Sequence, residues 1–398
     1  MKYLSLFALA LLLSGQAQAQ CLSGDPKDCP NAIITAVPFL RIVPDARSAA
    51  MGDAGIAISA DANAMHFNAS KLAFIDSDHG VSASYSPWLR SLGLQDVYLA
   101  YLSGFKRLGD DQTLGASLRY FSLGDLQFTD INGLSLGQGK PNEFEISLAY
   151  ARKLSEYFSA GLTGKFIYSN LAGGQQIDNI DIVPATAGAV DISFTYQAPI
   201  NIADKSTLRI GTSISNIGSK ISYTKSEFKD FMPGNLGIGG ALEMNFDDYN
   251  QLTFTMDINK LLVPTPISPE DTVNYDANHN NYPDFREKPL FEGVFGSFTD
   301  APGGFSEEMR EISFCWGAEY WYNKQFAFRA GYYYEHFTKG NRQFLTAGLG
   351  LRYNVFGLNV SYLVPTSNQR SPLDNTLRFS VIFHFDKAPT EPTSTSNG

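Results

Sequence analysis

Alternation of apolar and polar residues is the dominant signal along the chain. Phe144, Ile146, Leu148 and Tyr150 interleave with Glu145, Ser147, Ala149 and Ala151. After a short break at "KLSEY" the pattern restarts as Phe158, Ala160 and Leu162, then Phe166 and Tyr168, against Ser159, Gly161, Thr163 and Lys165. A period of two puts successive side chains on opposite faces of a strand. Two strands joined by a tight turn are therefore predicted, each with one apolar and one polar face.

The pattern recurs almost to the end of the chain. Segments near 80–88, 94–106, 112–122, 142–154, 157–169, 187–198, 206–216, 233–245, 250–260, 310–322, 325–336, 342–353, 355–364 and 375–386 read as about fourteen strands. Most reach the length, roughly 9–11 residues, that a tilted membrane strand needs. Their connections alternate. "RLGDD", "KLSEY", "NFDDYN", "YNKQ" and "YNVF" are short, whereas 123–141, 170–186, 217–232, 261–309 and 365–374 are mostly longer. Short turns on one rim and long loops on the other are the mark of an outer-membrane barrel. A sandwich or propeller would not sort its loops by parity. The expected fold is all-β: a transmembrane barrel of about fourteen antiparallel strands, both ends periplasmic, with the apolar faces on outer-membrane lipid. The polar positions, among them Glu145, Lys165, Asp191, Arg209, Glu243, Asp257, Arg329 and Arg378, then face the lumen.

Composition agrees. Aromatic residues make up 13% of the 398-residue chain and charged residues only 18%, with a net charge of −10. That balance leaves no basic footprint for nucleic acid. Residues 1–19 read as a signal peptide: Lys2, an apolar run from Leu4 to Leu13, and a small-residue cleavage site at Ala17-Gln18-Ala19. Residues 20–78 form an N-terminal arm and plug segment, 79–386 the barrel, and 387–398 ("KAPTEPTSTSNG") a disordered periplasmic tail. Cys21 and Cys29 close a short loop suited to a disulfide outside the cytoplasm, and Cys315 reads as a small buried residue inside a strand.

The stretch from Arg41 to Asp76 does not alternate. Asp45 is placed to cap a short helix through Met51, with Gly52 to end it, and Asp61 to cap a second around Ala62–Phe67. Its small residues allow close packing inside a barrel. "VPDARSAAMGDAGIAISAD" followed by "HFNASKLAF" resembles the N-terminal signature of the PorV family of the type IX secretion system, within the wider group of FadL-like fourteen-stranded barrels. Asp45, Gly52 and Asn68 carry the plug motif. The family's usual Asn-Pro-Ala is here Asn68-Ala69-Ser70. The resemblance implies a sealed barrel that associates with a giant translocon barrel. It would bind the C-terminal signal domains of cargo through extracellular loops and pass cargo to a surface complex containing a PorU-type sortase. The alternative is a FadL-like transporter of hydrophobic small molecules, which needs an apolar pocket near the outer mouth.

No catalytic motif stands out. The histidines at 66, 79, 279, 336 and 384 form no paired metal spacing, and "GTSIS" is plain alternation. The expectation is a protein without enzymatic activity and without a required cofactor. One loop motif has chemistry. "DANHNNYPDFRE" sets Asp276, Asn278, Asn280, Asp284 and Glu287 at relative positions one, three, five, nine and twelve, with the Tyr282 carbonyl at seven. Hard oxygens at that spacing wrap Ca2+. The same long loop carries Phe291, Phe295 and Phe298, expected as a partner-docking surface.

Overall fold

The computed structural model describes residues 30–90, 93–129, 134–172, 176–177, 180–202, 205–224, 229–267, 274–280, 282–367 and 376–385. The signal peptide, Cys21, Cys29 and the tail lie outside these residues.

Fourteen antiparallel strands close into one barrel. In chain order they are His79–Pro87, Val97–Arg107, Gln112–Leu123, Asn142–Lys153, Phe158–Asn170, Ala185–Ile200, Ser206–Gly218, Asn235–Asn245, Asn250–Leu261, Ile312–Tyr322, Phe326–Tyr334, Gln343–Tyr353, Phe356–Pro365 and Leu377–Phe385. Each pairs with its sequence neighbours, and the first closes on the last, His79 opposite Phe385. Closure leaves no unpaired edge, which a backbone in hydrocarbon requires. Two small hairpins, Leu126–Thr129 with Ser135–Gly139 and Gln176–Ile177 with Ile180–Asp181, decorate two of the long connections.

The faces follow the alternation. Leu148 is 66% exposed on the outside, while Glu145, Ser147 and Ala149 are buried inside. Stacked aromatic pairs such as Phe144 with Tyr168 and Phe158 with Phe194 bridge neighbouring strands on the outer face. Such cross-strand pairs add a few tenths to about 1 kcal/mol each and pin the register.

The interior is filled. Residues 37–75 run down the lumen as short turns: Pro38–Arg41, Ala46–Ala49, Ala64–His66 and Ala69–Phe74. Among the described residues no helix is long and apolar enough to cross a membrane. The ends of the barrel strands meet on the short-turn rim, as the even count requires. The described start of the chain does not. Asn31 donates its backbone N–H to Thr338 O (2.6 Å), and Ala36 donates to Phe231 O (2.9 Å), both on the long-loop rim. The even count fixes where the strands end, and an arm that traverses the lumen adds one more crossing. The described arm therefore leaves the lumen at the rim opposite the one where the first and last strands end.

Placing arginine at Leu148 should cost about 2–4 kcal/mol, the penalty for a cation at mid-bilayer. The expected readout is loss of the folded band in heat-modifiable gel migration for Leu148→Arg, with an unperturbed band for Ala149→Ser on the opposite face.

Candidate functional site

Two regions concentrate polar chemistry: the contact between plug and wall, and the long-loop rim. The plug begins with Asp45, whose Oδ2 accepts Ser48 N–H (2.8 Å) and caps Ala46–Ala49. The helix stops two residues earlier than the spacing suggests, and Gly52 completes the turn with φ +67°. A side chain at Gly331 on the wall would bring Cβ to 2.0 Å from Gly52 N, so plug backbone and wall backbone touch there. Asp61 caps no full helix. Its Oδ1 accepts Asn63 N–H (2.8 Å) and its Oδ2 accepts Arg47 (3.1 Å), leaving only the single turn Ala64–His66.

Arg47 is the centre of the attachment. It donates twice to Glu319, Nε to Oε2 at 2.9 Å and Nη2 to Oε1 at 2.8 Å. Glu319 also accepts from Arg329 of the next strand at 2.6 Å, and Arg329 donates to Asn359 at 2.9 Å. All three ionic side chains are nearly inaccessible. A second carboxylate, Asp257, accepts the consecutive N–H groups of Gly55 and Ile56 at 2.7 and 2.8 Å. Asn68 caps Ala69–Phe74 through Ser70 N–H, while its Nδ2 donates to Thr195 Oγ1 (2.9 Å) and Ile56 O (3.1 Å). Ala69 takes the first helical position, where the family's proline would also fit. Ser70 adds hydroxyl contacts to Asn68 and Thr195 that an alanine could not make.

Further inward charges also pair: Arg119 with Glu145 (3.5 Å), Lys165 with Asp191 (2.7 Å), Arg209 with Glu243 (2.8 Å) and Arg378 with Asp53 (3.7 Å). Arg119 further donates to Leu40 O (2.9 Å), tying the arm to the wall. Between plug and outer rim lies a polar chamber of about 130 Å³, lined by Asp53, His66, Lys165, Asp257, Glu335 and Arg342 among others.

At the long-loop rim, Lys260 and Lys339 share Glu311, at 2.7 and 3.1 Å. Lys260 also reaches Glu308 (2.9 Å), and Lys339 reaches Glu307. Burial alone would raise Glu335 in the rim loop, but the Arg342 guanidinium at 2.8 Å holds it below its ordinary value. Val37, Phe39 and Leu40 of the arm pack on Trp88, Val97, Leu99, Phe121, Ile167, Ile221 and Met232, closing the outer mouth with an apolar layer.

A protein-family model for the type IX secretion system protein PorV matches residues 25–268. The chain belongs to the PorV family. A PorV-family barrel is a component of the type IX secretion system. A comparison with curated proteins returns no match. Among solved structures, the chain is similar to the P. putida toluene transporter TodX at 11% identity and TM-score 0.50, covering 86% of this chain and 99% of that one. The Ralstonia pickettii toluene transporter TbuX gives 12%, 0.49, 86% and 98%. A Pseudomonas aeruginosa FadL homologue gives 12%, 0.43, 89% and 100%. At such identity the TodX likeness speaks for the fold alone.

The sequence-predicted loop residues fall on the long-loop rim. Phe291 and Phe295 lie four residues apart on the helix Leu290–Gly296, 66% and 73% exposed. That spacing stacks them on one helix face, while Val294 faces inward. Phe298 is half-covered, its ring 5.8 Å from Lys260 Nζ. In the acidic segment, the Asn278 amide donates to Glu287 (2.7 Å) and the Asn280 amide donates to the same carboxylate. Asp276 Oδ1 accepts Asn280 N–H (3.0 Å), Asp284 Oδ2 accepts Ala277 N–H (3.1 Å), and Tyr282 N–H donates to Asn280 Oδ1 (2.9 Å). The set folds onto itself, with Asp284 Oδ1 buried and unbonded. Among the described residues no three His, Cys, Asp or Glu groups gather in a metal-ready cluster; two of the five side chains in this set are amides.

Sequence reading picked out neither Arg47, Arg119 nor Glu319. Arg119 and Glu319 sit at inward positions of the alternation, so parity marks their direction, but nothing in the sequence names their partners.

Glu319→Gln should leave Arg47 and Arg329 buried with one carboxylate fewer between them. Breaking such a pair costs about 3–5 kcal/mol. The expected outcome is a lower unfolding temperature by heat-modifiable migration, with conductance appearing in planar bilayers where the unaltered protein shows none.

Proposed function

We propose that the protein captures secreted cargo at its long-loop rim, outside the outer membrane, and delivers it from the type IX translocon barrel to the surface attachment complex with its PorU-type sortase. The observation that carries this reading is the pairing of a blocked lumen with solvent-facing aromatics on the rim. Side chains of the plug and wall neutralise one another across the lumen, so transport through the barrel interior has no ready path. Phe291 and Phe295, in contrast, expose apolar surface that folding leaves uncovered, the kind of anchor that dominates binding between proteins. The family supplies the cargo class: folded C-terminal signal domains. The function proposed is binding and transfer without catalysis.

A FadL-like solute transporter is the competing reading. Such a protein needs an apolar site at its outer mouth. Here the chain's own Val37, Phe39 and Leu40 fill that place, and the chamber beneath is polar.

The acidic segment fits calcium as part of the same surface. The oxygens of Asp276, Asn278, Asn280, Asp284 and Glu287 are already close. Turning the two amides would offer oxygen instead of N–H, and Asp284 Oδ1 stands ready. A bound ion would stiffen the loop and lower the ordering cost of docking.

Replacing Phe291 and Phe295 together by aspartate should keep normal barrel abundance, because both are exposed. Release of surface proteins should fall at least about tenfold, the effect of losing ~1.4 kcal/mol at an anchor. Normal release at normal abundance would refute the rim as the docking face. Calcium should slow protease cleavage of the segment 262–311, and Asp276→Ala should abolish the protection; cleavage insensitive to calcium in the unaltered protein would remove the ion from the proposal.

A further inference from the structure

We propose that Pro30–Ala36 is an outward strap: it leaves the lumen at the cell-surface rim and there latches separate long loops over the plugged lumen. This rests on the orientation proposed above, long loops outward.

The direction of the arm is given by its contacts. Asp76 O lies at the short-turn rim, where Arg107 donates to it (3.1 Å). Going back along the chain, Leu72 meets Thr113, Asn68 meets Thr195 and Ile56 meets Asp257, successively further from that rim; Arg47 turns back toward it at Glu319, and Leu40 then meets Arg119, as deep in its strand as Asp257. Asn31 then stands among the long loops. Its backbone N–H reaches Thr338 O, and its amide donates at 3.0 Å to both Pro266 O and Glu307 Oε1. Ala36 N–H reaches Phe231 O. One short extended segment therefore joins the 219–234 connection, both parts of the 262–311 segment, and the 335–342 loop. Those loops are far apart in sequence.

The strap is held differently at its two ends. At Val37 it turns into the lumen with φ 44° and ψ 52°. This is a left-handed conformation that a β-branched residue adopts only when its surroundings impose it. Val37 is fully buried, so the apolar layer of the outer mouth supplies that constraint. Beyond it the segment loses cover: Ile34 is 68% exposed. Outside Val37 the strap depends on a few hydrogen bonds at solvent, the class of contact that opens first. The ionic layer of Lys260, Lys339, Glu307, Glu308 and Glu311 beneath it does not depend on the arm, apart from the single Asn31 bond to Glu307. The loops thus form a platform that the strap fastens and can release.

The test uses the full chain in intact cells, with Cys21→Ser and Cys29→Ser so that only buried Cys315 remains. Single cysteines are introduced as Ile34→Cys on the strap, Phe295→Cys on the long-loop rim and Asp248→Cys in a short turn, and probed with a membrane-impermeant maleimide. Ile34→Cys and Phe295→Cys should label in intact cells, Asp248→Cys only after permeabilisation. Labelling of Phe295→Cys but not Ile34→Cys in intact cells would overturn the strap and leave the orientation standing. Labelling of Asp248→Cys but not Phe295→Cys would overturn the orientation and the strap with it. For the latch, Asn31→Ala should speed tryptic cleavage within 262–311 on intact cells about fivefold, the scale of one net hydrogen bond. Unchanged cleavage at equal barrel abundance would refute the latch.

Discussion

The bond of Arg47 to Glu319, shared with Arg329, is the constraint on which the rest of the molecule depends. Two guanidiniums and one carboxylate sit out of water between plug and wall. Each alone would be intolerable in that setting. Together, with Asp61, Ser59 and Asn359 adding further hydrogen bonds, they keep these partners only when the plug occupies one position. A buried ionic cluster of this kind is poor evidence for extra stability, since desolvation offsets most of the attraction. It specifies position: a plug shifted by one residue would strand a charge.

The close approach of Gly52 to Gly331 serves the same end by other means. Removing Cβ on both sides lets the two backbones meet, and Asp257 then receives the Gly55 and Ile56 N–H groups. The plug has little regular structure of its own. Its backbone polar groups are satisfied by its own tight turns and, at Ala46, Gly52, Gly55, Ile56 and Ser70, by side chains of the wall, which lets so short a set of turns be stable inside a barrel. The inward polar face of the strands, ambiguous between a water-lined channel and a packed one, is thereby resolved as a packing surface.

With residues 37–75 occupying the interior, the exposed chemistry lies at the rims. The short-turn rim carries tight turns. The long-loop rim carries helices, an ionic layer and exposed phenylalanines. The apolar layer at that mouth is made by the arm itself, from Val37, Phe39 and Leu40. A shared frame does not fix function, which follows from what a chain places on that frame.

The sequence by itself determined the barrel. Alternation with period two, loop length sorted by parity and an even strand count leave almost no freedom, because hydrocarbon admits only a closed sheet and each strand must show it an apolar face. Phe144, Ile146, Leu148 and Tyr150 could be assigned to lipid from the alternation alone, Asp45 and Gly52 to a turn of the plug from local capping chemistry, and Asn68 to the plug from the family resemblance. The tertiary structure alone decided which charges meet. Glu319 and Arg47 are 272 residues apart, and Asn31 and Glu307 are 276 apart. No local rule couples them, since pairing inside a lumen depends on the depth at which the plug rests and on the direction in which the arm threads. For the same reason strand parity, which counts only strands, could not place Asn31 and Ala36 on the long-loop rim.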